Sequence, residues 1–266
     1  MNSYQGKTAL ITGASSGIGE GFARELARRG MHLILVARSA GRLQQLADEL
    51  SSRHRVQVTV LPFDLGQERA GERVYEAVAQ RGLRVDLLVN NAGFGTHGRF
   101  EELDPARDHQ QVMVNVTAVV DLTHAFVPDM LARGSGAVIN VASTVSYQPT
   151  PYMAVYGASK AFVTSFSAAL AEEYRGRGLR VLALCPGATA TGFFDAVGGD
   201  SFAFGRMRTP AQVVATALRA LERGQSVVVD GLFNALVAEF AKRMSFAFSA
   251  RVAGRVTRPV PTGRTS

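Results

Sequence analysis

The feature that most constrains this chain is a glycine-rich segment between a short, mostly apolar strand and a helix. Residues 8–12 predict a buried strand, and the segment 13–19 that follows has glycine at its first, fifth and seventh positions. A helix with periodic apolar residues comes next and ends at Gly30, and residues 32–37 predict a second strand. The order strand, glycine turn, helix, strand predicts a βαβ unit with two parallel strands.

The glycine segment has the chemistry of an anion site. Glycine permits a tight turn and a close approach of the backbone, and the following helix offers unpaired N–H groups and the positive end of its dipole. The spacing Gly-x-x-x-Gly-x-Gly differs from the usual fingerprint Gly-x-Gly-x-x-Gly. Inside a βαβ unit, such a loop still predicts that a pyrophosphate binds at the helix N-terminus.

The rest of the chain repeats the alternation of strand and helix. We predict further strands at 56–61, 85–89, 137–141, 179–184 and 226–229, and helices at 68–80, 105–132, 152–174 and 210–223. The length of 266 residues, the apolar content of 47% and the 27 glycines suit one large domain. We therefore predict an α/β fold, a doubly wound parallel sheet (Rossmann-like) in a single domain with its core in residues 6–230.

Tyr156 and Lys160 are the most informative pair for chemistry. They lie four residues apart in a predicted helix, so their side chains project from the same face. A free tyrosine has a pKa of about 10, and a nearby ammonium is expected to lower that pKa and make Tyr156 a usable acid or base. Ser143 follows the predicted strand 137–141, which places its hydroxyl at the sheet edge where open α/β sheets bind ligands. The three side chains together predict a site of proton transfer.

With these motifs in this order, residues 6–230 resemble the short-chain dehydrogenase/reductase family. The similarity is carried by the segment 12–19, Asp64, the segment 90–93, Asn115, Ser143, Tyr156 with Lys160, Pro186 with Gly187, Thr189 and Thr191. The resemblance implies that Tyr156 is the acid/base group and that Ser143 polarises the substrate carbonyl. It also implies that Lys160 binds the nicotinamide ribose and tunes Tyr156. Asn115 would hold a water in a proton relay through Lys160.

The resemblance implies a nicotinamide dinucleotide cofactor, with Asp64 and Leu65 at the adenine. Together with Arg38, the residues expected to bind it are Gly13, Ser15, Ser16, Gly17, Ile18, Gly19, Asp64, Leu65, Asn91, Ala92, Gly93, Tyr156, Lys160, Pro186, Gly187, Thr189 and Thr191. No metal is expected in the reaction.

Arg38 bears on the choice of cofactor. Proteins of this fold that use NAD usually have an acidic residue at the end of the second strand, whereas the 2′-phosphate of NADP needs a cation. Here Ala37 stands at that position and Arg38 follows, so no carboxylate repels a phosphate and a guanidinium can pair with it. We predict that NADP(H) is preferred, with NAD(H) left open. The alternative is that Arg38 merely caps the sheet edge or pairs with a helix carboxylate.

The predicted function is an NADP(H)-dependent oxidoreductase that interconverts a carbonyl, ketone or aldehyde, and an alcohol. Two alternatives remain open at this point. One is an NAD(P)-using epimerase or dehydratase on the same fold, which the compact length disfavours. The other is a cofactor-sensing regulatory or scaffold protein, because a fold alone does not prove activity. The complete set of Ser143, Tyr156 and Lys160 argues against the second alternative.

The loop after Thr191 indicates the substrate class. It contains Phe193, Phe194, Phe202 and Phe204, and no arginine or lysine occurs between Thr189 and Gly205. Ligand pockets are mostly apolar, so this loop predicts an apolar or lipid-like small-molecule substrate. The alternative is that the four aromatic rings simply pack the loop onto the sheet.

The residues after 230 form an extension. Leu232, Leu236, Phe240, Met244 and Phe248 recur every four residues and predict one amphipathic helix that buries its apolar face. Beyond Phe240 the chain has six basic residues and no acidic one, and without these six the net charge of +7 would be +1. This C-terminal helix and basic tail, 231–266, suit a membrane-surface helix, a subunit contact, or a packed helix with a mobile tail from Arg251. Nucleic-acid binding is disfavoured because no motif for it occurs.

Cysteine usage and the N-terminus narrow the remaining classes. A single cysteine, Cys185, excludes an internal disulfide framework and a cysteine metal cluster, and the five histidines have no ligand spacing. The first six residues are too short and polar for a signal peptide, and no apolar stretch is long enough for a membrane span. We expect a cytoplasmic homo-oligomer, with peripheral membrane contact through the C-terminal helix left open.

Overall fold

The computed structural model describes residues 3–193 and 207–259. Its strands are β1 (Thr8–Thr12), β2 (His32–Ala37), β3 (Val58–Pro62), β4 (Leu87–Asn90), β5 (Gly136–Val141), β6 (Leu179–Cys185) and β7 (Val227–Val229). Its helices are α1 (Gly17–Arg28), α2 (Ala40–His54), α3 (Ala70–Ala79), α4 (Pro105–Val112), α5 (Ala118–Ala132), α6 (Ala154–Glu173), α7 (Pro210–Glu222), α8 (Leu232–Ala241) and α9 (Phe246–Val256).

The strands form one parallel sheet in the order β3-β2-β1-β4-β5-β6-β7. Ile11 of β1 is paired with Leu35 of β2 on one side and with Val89 of β4 on the other. The chain thus winds outward in one direction through β2 and β3 and in the other through β4 to β7. This is the predicted doubly wound α/β fold, and its topological switch point lies between β1 and β4.

The sheet carries an apolar core on each face. On one face, strand residues such as Ile11 and Leu35 pack with α1, α2 and α7. On the other face, residues such as Leu10 and Val138 pack with α3 and α5. Because both faces are covered, successive residues of one strand are buried, which explains why the strands are continuous apolar runs in the sequence.

The predicted helix 105–132 is interrupted by a wider turn. Residues Met113–Thr117 form a π-helical segment between α4 and α5. Such single π turns inside α-helices are frequently found at functional sites. Asn115 lies in the middle of this segment and is buried.

The C-terminal extension differs from the prediction of one helix over 232–248. Two helices, α8 and α9, are separated at residues 242–245, and the side chain of Ser245 accepts a hydrogen bond from the Phe248 amide at 3.3 Å. Serine at this position starts a new helix because its oxygen satisfies an otherwise unpaired N–H group. Helix α9 also continues past Arg251 to Val256, so the expected mobile tail was wrong for that stretch. Residues 260–266 lie outside the described residues.

The residues that the C-terminal extension buries also differ from the prediction. The predicted stripe was expected to pack inward, yet Leu232, Leu236 and Phe240 are exposed, while the small residues Ala238 and Ala241 are buried. The inward face of α8 therefore carries small side chains, which allow the helix to lie close to the body of the protein. The large apolar side chains point away from it.

Candidate active site

A cleft of about 840 Å³ lies along the carboxyl ends of the strands. It is lined by residues that follow successive strands, among them Gly13 after β1, Arg38 after β2, Asp64 after β3 and Asn91 after β4. Farther along the same cleft are Ser143, Tyr156 and Lys160. The structure therefore brings the glycine segment and the predicted proton-transfer group into one site.

The glycine segment is held in place by Thr12 and Asn91. The Asn91 side-chain amide donates to the Thr12 main-chain oxygen at 2.9 Å. The Thr12 hydroxyl accepts a hydrogen bond from the main-chain N–H of Asn91, also at 2.9 Å. Gly13 and Gly17 have positive φ angles of 64° and 59°, which favour glycine. A Cβ on Gly19 would lie 2.3 Å from the Gly13 oxygen, so the helix and the loop approach each other as closely as glycine permits.

The first turn of α1 faces the cleft without a side-chain cap. Ser16, at the N-cap position, accepts no capping hydrogen bond, and Ser16, Gly17 and Ile18 line the cleft. Uncapped N–H groups and the positive dipole end leave this helix terminus suited to an anion. The residues present thus fit the pyrophosphate of a dinucleotide.

Ser143 and Tyr156 form the hydroxyl pair of the site. Ser143 follows β5 in extended conformation, and its Oγ accepts a hydrogen bond from the Val145 amide at 3.3 Å. Tyr156 lies in the first turn of α6 and is hydrogen-bonded to Ser143. The Phe193 ring lies 5.2 Å from the Tyr156 ring, centroid to centroid, and forms an apolar neighbour on that side. The two hydroxyls can therefore contact the same substrate oxygen.

Lys160 is buried one turn further along α6. Its ammonium donates to the Val141 main-chain oxygen at 2.8 Å, and its Nζ lies 5.8 Å from the centroid of the Tyr156 ring. A Cβ on Gly93 would come within 3.3 Å of this Nζ, so the absence of a side chain there leaves room for the lysine. The pair predicted from the spacing of four residues is present on one helix face.

The pKa values of this pair differ from the expectation. Burial raises the pKa of Tyr156 to about 12, and the hydrogen bond from Ser143 opposes that rise in part. Burial also lowers the pKa of Lys160 to about 8. The expected lowering of the Tyr156 pKa by Lys160 was wrong for the protein without ligand, because loss of solvent dominates and the ammonium is directed to Val141.

Asn115 is placed behind the cleft rather than in its wall. Its side-chain amide donates to the Phe94 main-chain oxygen at 2.9 Å and to Ser159 Oγ at 3.1 Å. Its side-chain oxygen accepts from the Phe94 amide at 3.1 Å. The side chain thus joins the β4 loop to α6, and its role in a proton relay stays a prediction.

The residues expected to bind the cofactor nearly all line the cleft. Gly19 is the exception, because it is buried against the loop. Asp64 and Leu65 lie at one end of the cleft, and Pro186, Gly187, Thr189 and Thr191 lie along it. Asn91 contributes to the lining, although its side chain is used to hold the loop.

Arg38 is accompanied by a second cation that sequence reasoning missed. Arg42, in the first turn of α2, lines the cleft beside Arg38 and Ser39. Both arginine side chains are exposed, and within the described ranges neither forms an ion pair. The alternative that Arg38 pairs with a helix carboxylate is therefore not observed. The signal for Arg42 was its position in the first turn of the helix that directly follows β2 and Arg38.

The segment after Gly187 is fixed by Arg208, which the sequence analysis did not single out. Residues Thr189 and Arg208 form a short parallel bridge. Arg208 Nε lies 2.6 Å from Oδ2 of Asp230, and the Asp230 side chain is fully buried. This ion pair holds Thr189 at the cleft. Phe194, Phe202 and Phe204 of the intervening loop lie outside the described residues.

The C-terminal helices form a wall of the cleft, which sequence reasoning also missed. Helix α8 contributes Phe233, Val237 and Ala238, and helix α9 contributes Val252, Ala253 and Val256. Thr257 fixes the end of α9, because its hydroxyl donates to the Pro151 oxygen at 2.8 Å and its own oxygen lies 2.8 Å from His97 Nε2. No helix among the described residues is long and apolar enough to cross a membrane.

The class of protein follows from where the site lies. In doubly wound sheets a nucleotide binds at the point where the strand order reverses, and here a proton-transfer group lies in the same cleft. A cleft that holds the two together fits an enzyme that acts with a bound nucleotide.

Comparison with known protein families identifies one family that matches most of this chain. The short chain dehydrogenase family matches residues 7–201 of this chain. The chain therefore belongs to the short-chain dehydrogenase family.

Two curated relatives show what the chain is similar to. Sulfoacetaldehyde reductase 2 of Chromohalobacter salexigens is 40% identical over 209 residues, which are 76% of this chain and 82% of that protein. The very-long-chain 3-oxoacyl-CoA reductase of Anas platyrhynchos is 35% identical over 193 residues, which are 70% of this chain. The match spans 61% of the length of that second reductase, less than two thirds.

Solved structures share the whole architecture. A short-chain dehydrogenase from Sphingobium yanoikuyae in complex with NADPH has a TM-score of 0.80 at 34% identity, covering 88% of this chain and 93% of that one. A 7β-hydroxysteroid dehydrogenase has a TM-score of 0.85 at 26% identity, covering 94% of this chain and 98% of that one.

Proposed function

We propose that the protein is an NADP(H)-dependent oxidoreductase whose substrate is an apolar, lipid-like ketone, aldehyde or secondary alcohol. The observation that carries the proposal is the single cleft in which Ser143 and Tyr156 lie between the glycine loop and the wall formed by α8 and α9. Among the described residues, none that these two helices contribute to the cleft is charged. A few polar groups that orient a ligand beside an apolar wall are typical of pockets for hydrocarbon-rich molecules.

The roles of the side chains follow from their protonation and placement. A tyrosine with a pKa of about 12 is protonated at neutral pH, which is the form that carbonyl reduction needs. Tyr156 donates that proton to the carbonyl oxygen, and Ser143 donates a hydrogen bond to the same oxygen. The bound cofactor supplies the hydride. As the family resemblance implies, Lys160 would bind the nicotinamide ribose, and Asn115 would hold a water in a proton relay through Lys160 that returns a proton to Tyr156.

The arginine pair supports a preference for NADP(H). Two exposed guanidinium groups at the end of β2 can pair with a 2′-phosphate, and one such charge-assisted contact contributes about tenfold to a hundredfold in affinity. Arg38→Ala and Arg42→Ala should each weaken NADPH binding by that factor and leave NADH binding almost unchanged. Fluorescence titration of both cofactors measures this.

The matched control for the arginine variants is Arg53→Ala, at the other end of α2, where the side chain is 64% exposed. This variant should bind both cofactors as the wild type does. Equal or tighter binding of NADH by the wild type would refute the preference, and unchanged NADPH affinity in both cleft variants would refute the assignment of these residues.

Turnover with a graded panel of carbonyl compounds tests the substrate class. We expect kcat/KM for NADPH oxidation to rise by about tenfold for every two methylene groups added to a linear ketone, because each buried CH₂ contributes about 0.8 kcal/mol. Adding a carboxylate near the carbonyl should lower kcat/KM. Equal rates for short and long ketones, or a preference for the charged ones, would contradict the proposal.

Three further points stay predictions. We infer a single domain over residues 1–266, with its core in residues 6–230 and an extension, residues 231–266, of which α8 and α9 complete the cleft. Cytoplasmic residence and homo-oligomeric assembly are the other two, and each is open to direct measurement in cells and in solution.

A further inference from the structure

The two C-terminal helices have an unusual distribution of side chains. Their inward faces carry small residues, whereas large apolar residues are exposed to solvent. The most exposed are Leu232 at 80%, Phe246 at 77%, Phe240 at 66% and Leu236 at 64% of their full surface. Phe248 is also exposed, at 53%, whereas the exposed parts of Phe233, Val252 and Val256 line the cleft on the inner side. Contiguous apolar surface of this kind marks an interaction site, since single scattered residues would need no explanation.

Positive charge surrounds this apolar surface. Residues Lys242 and Arg243 lie between the two helices, and Arg251, Arg255 and Arg258 lie on or just after α9, all with exposed side chains. Glu239 pairs with Lys242 and Arg243, and no acidic residue follows it in the chain. The surface therefore carries a net positive charge beside exposed phenylalanine and leucine.

Helices α8 and α9 lie between the active-site cleft and the solvent. Their inner side forms a wall of the active-site cleft, while their outer side is exposed. Thr257 ties α9 to Pro151, and the Lys242 ammonium lies 4.8 Å from the centroid of the Tyr147 ring. The extension is thus fixed to the body of the protein in this orientation, and whatever covers its outer side lies next to the cleft.

We propose that the outer surface of α8 and α9 binds the surface of an anionic lipid bilayer. Phenylalanine and leucine side chains with adjacent arginine and lysine are the composition that favours an interfacial helix, whose apolar side enters the acyl boundary while the cations contact lipid headgroups. A second copy of the chain fits less well, because a symmetric contact places the same patch against itself and brings like charges together. The cleft would then lie beside the bilayer, which suits the proposed substrate class.

The test uses the full-length protein and vesicles of phosphatidylcholine with or without phosphatidylglycerol. We expect the protein to sediment with the vesicles that contain phosphatidylglycerol at low salt, and to be released at high salt, because the electrostatic part is screened. Arg251→Gln with Arg255→Gln should lower the partition coefficient by about thirtyfold. Leu236→Gln with Phe240→Gln should lower it by at least about tenfold.

Matched controls lie elsewhere on the surface. Phe100→Gln replaces a phenylalanine that is 69% exposed, and Arg53→Gln replaces an exposed arginine of α2, so both should bind vesicles as the wild type does. All substituted side chains of the patch are exposed, so the fold should be kept, and circular dichroism verifies this. Molar mass in solution, measured by light scattering, reports any contact between copies.

Several outcomes would overturn the proposal. The proposal is wrong if the wild-type protein stays in the supernatant at low salt. It is also wrong if the wild type and the Leu236→Gln, Phe240→Gln variant sediment equally with the vesicles. A molar mass that falls in that variant, without vesicle binding by the wild type, would assign the surface to a second copy. Vesicle binding is independent of the proposed catalytic function, so the Tyr156→Phe variant should bind vesicles as tightly as the wild type. Turnover measured without vesicles tests the catalytic function separately.

Discussion

Tyr156→Phe is expected to lower turnover by about a hundredfold to ten-thousandfold while NADPH binding stays nearly unchanged. The range is that of general acid–base catalysis, because the variant lacks the proton that the substrate oxygen receives. The ring itself stays, so its contact with Phe193, 5.2 Å away between centroids, is retained. Steady-state turnover with an apolar ketone, beside a fluorescence titration of NADPH, gives both quantities.

The control is Tyr174→Phe, which removes a hydroxyl at the far end of the same helix. It should leave turnover unchanged. A Tyr156→Phe enzyme with nearly wild-type turnover on its best substrate would mean that another group supplies the proton. Loss of NADPH binding in that variant would instead mean that the hydroxyl has a role in holding the cofactor.

Lys160→Met is expected to remove most activity and yet to stabilise the fold. The lysine is 5% exposed, and burial lowers its pKa from 10.5 to about 8, so keeping it charged at neutral pH costs free energy. A shift of this size corresponds to about 3 kcal/mol, which the hydrogen bond to Val141 offsets in part. The free energy of unfolding should therefore rise by about 1–3 kcal/mol in the variant.

The sign of the pH dependence provides a second check on Lys160. Below about pH 8 the lysine is charged in both folded and unfolded states, and its cost is constant. As pH rises from about 8 toward 10.5, the folded state binds fewer protons than the unfolded state, so the stability contributed by this group increases. The stability difference between Lys160→Met and the wild type should narrow across that window.

Denaturant unfolding at several pH values measures this difference, with Lys7→Met as the control, since Lys7 lies before β1 and outside the cleft. That control should leave the free energy of unfolding at neutral pH nearly unchanged. A Lys160→Met protein that is less stable than the wild type at neutral pH would show that contacts of the ammonium outweigh the cost of burying its charge.

The order of the elements could be predicted because buried parallel strands leave continuous apolar runs in the sequence. Helix α2 was not predicted, although its buried residues follow helical spacing: Leu43, Leu46, Ala47 and Leu50. The break at Ser245 also escaped, because a repeat of apolar residues every four positions continues through it while the serine cap interrupts the backbone.

The sequence predicted which residues form the candidate site better than it predicted their pKa values. Ser143, Tyr156 and Lys160 lie together as their spacing and strand positions indicated. The direction of the Tyr156 pKa was not predictable, because it depends on how much solvent the folded chain removes and on the direction of the Lys160 ammonium. The contribution of α8 and α9 to the cleft was likewise hidden, since it arises from contacts between residues distant in the sequence, such as Thr257 and Pro151.

The wall formed by α8 and α9 supplies none of the groups assigned to hydride or proton transfer. In the proposed function, the reacting groups therefore lie within residues 13–191, and much of the apolar wall for the substrate lies in a separate stretch, residues 233–257. Changes in the distal stretch can alter which molecules are accepted without disturbing the reacting groups.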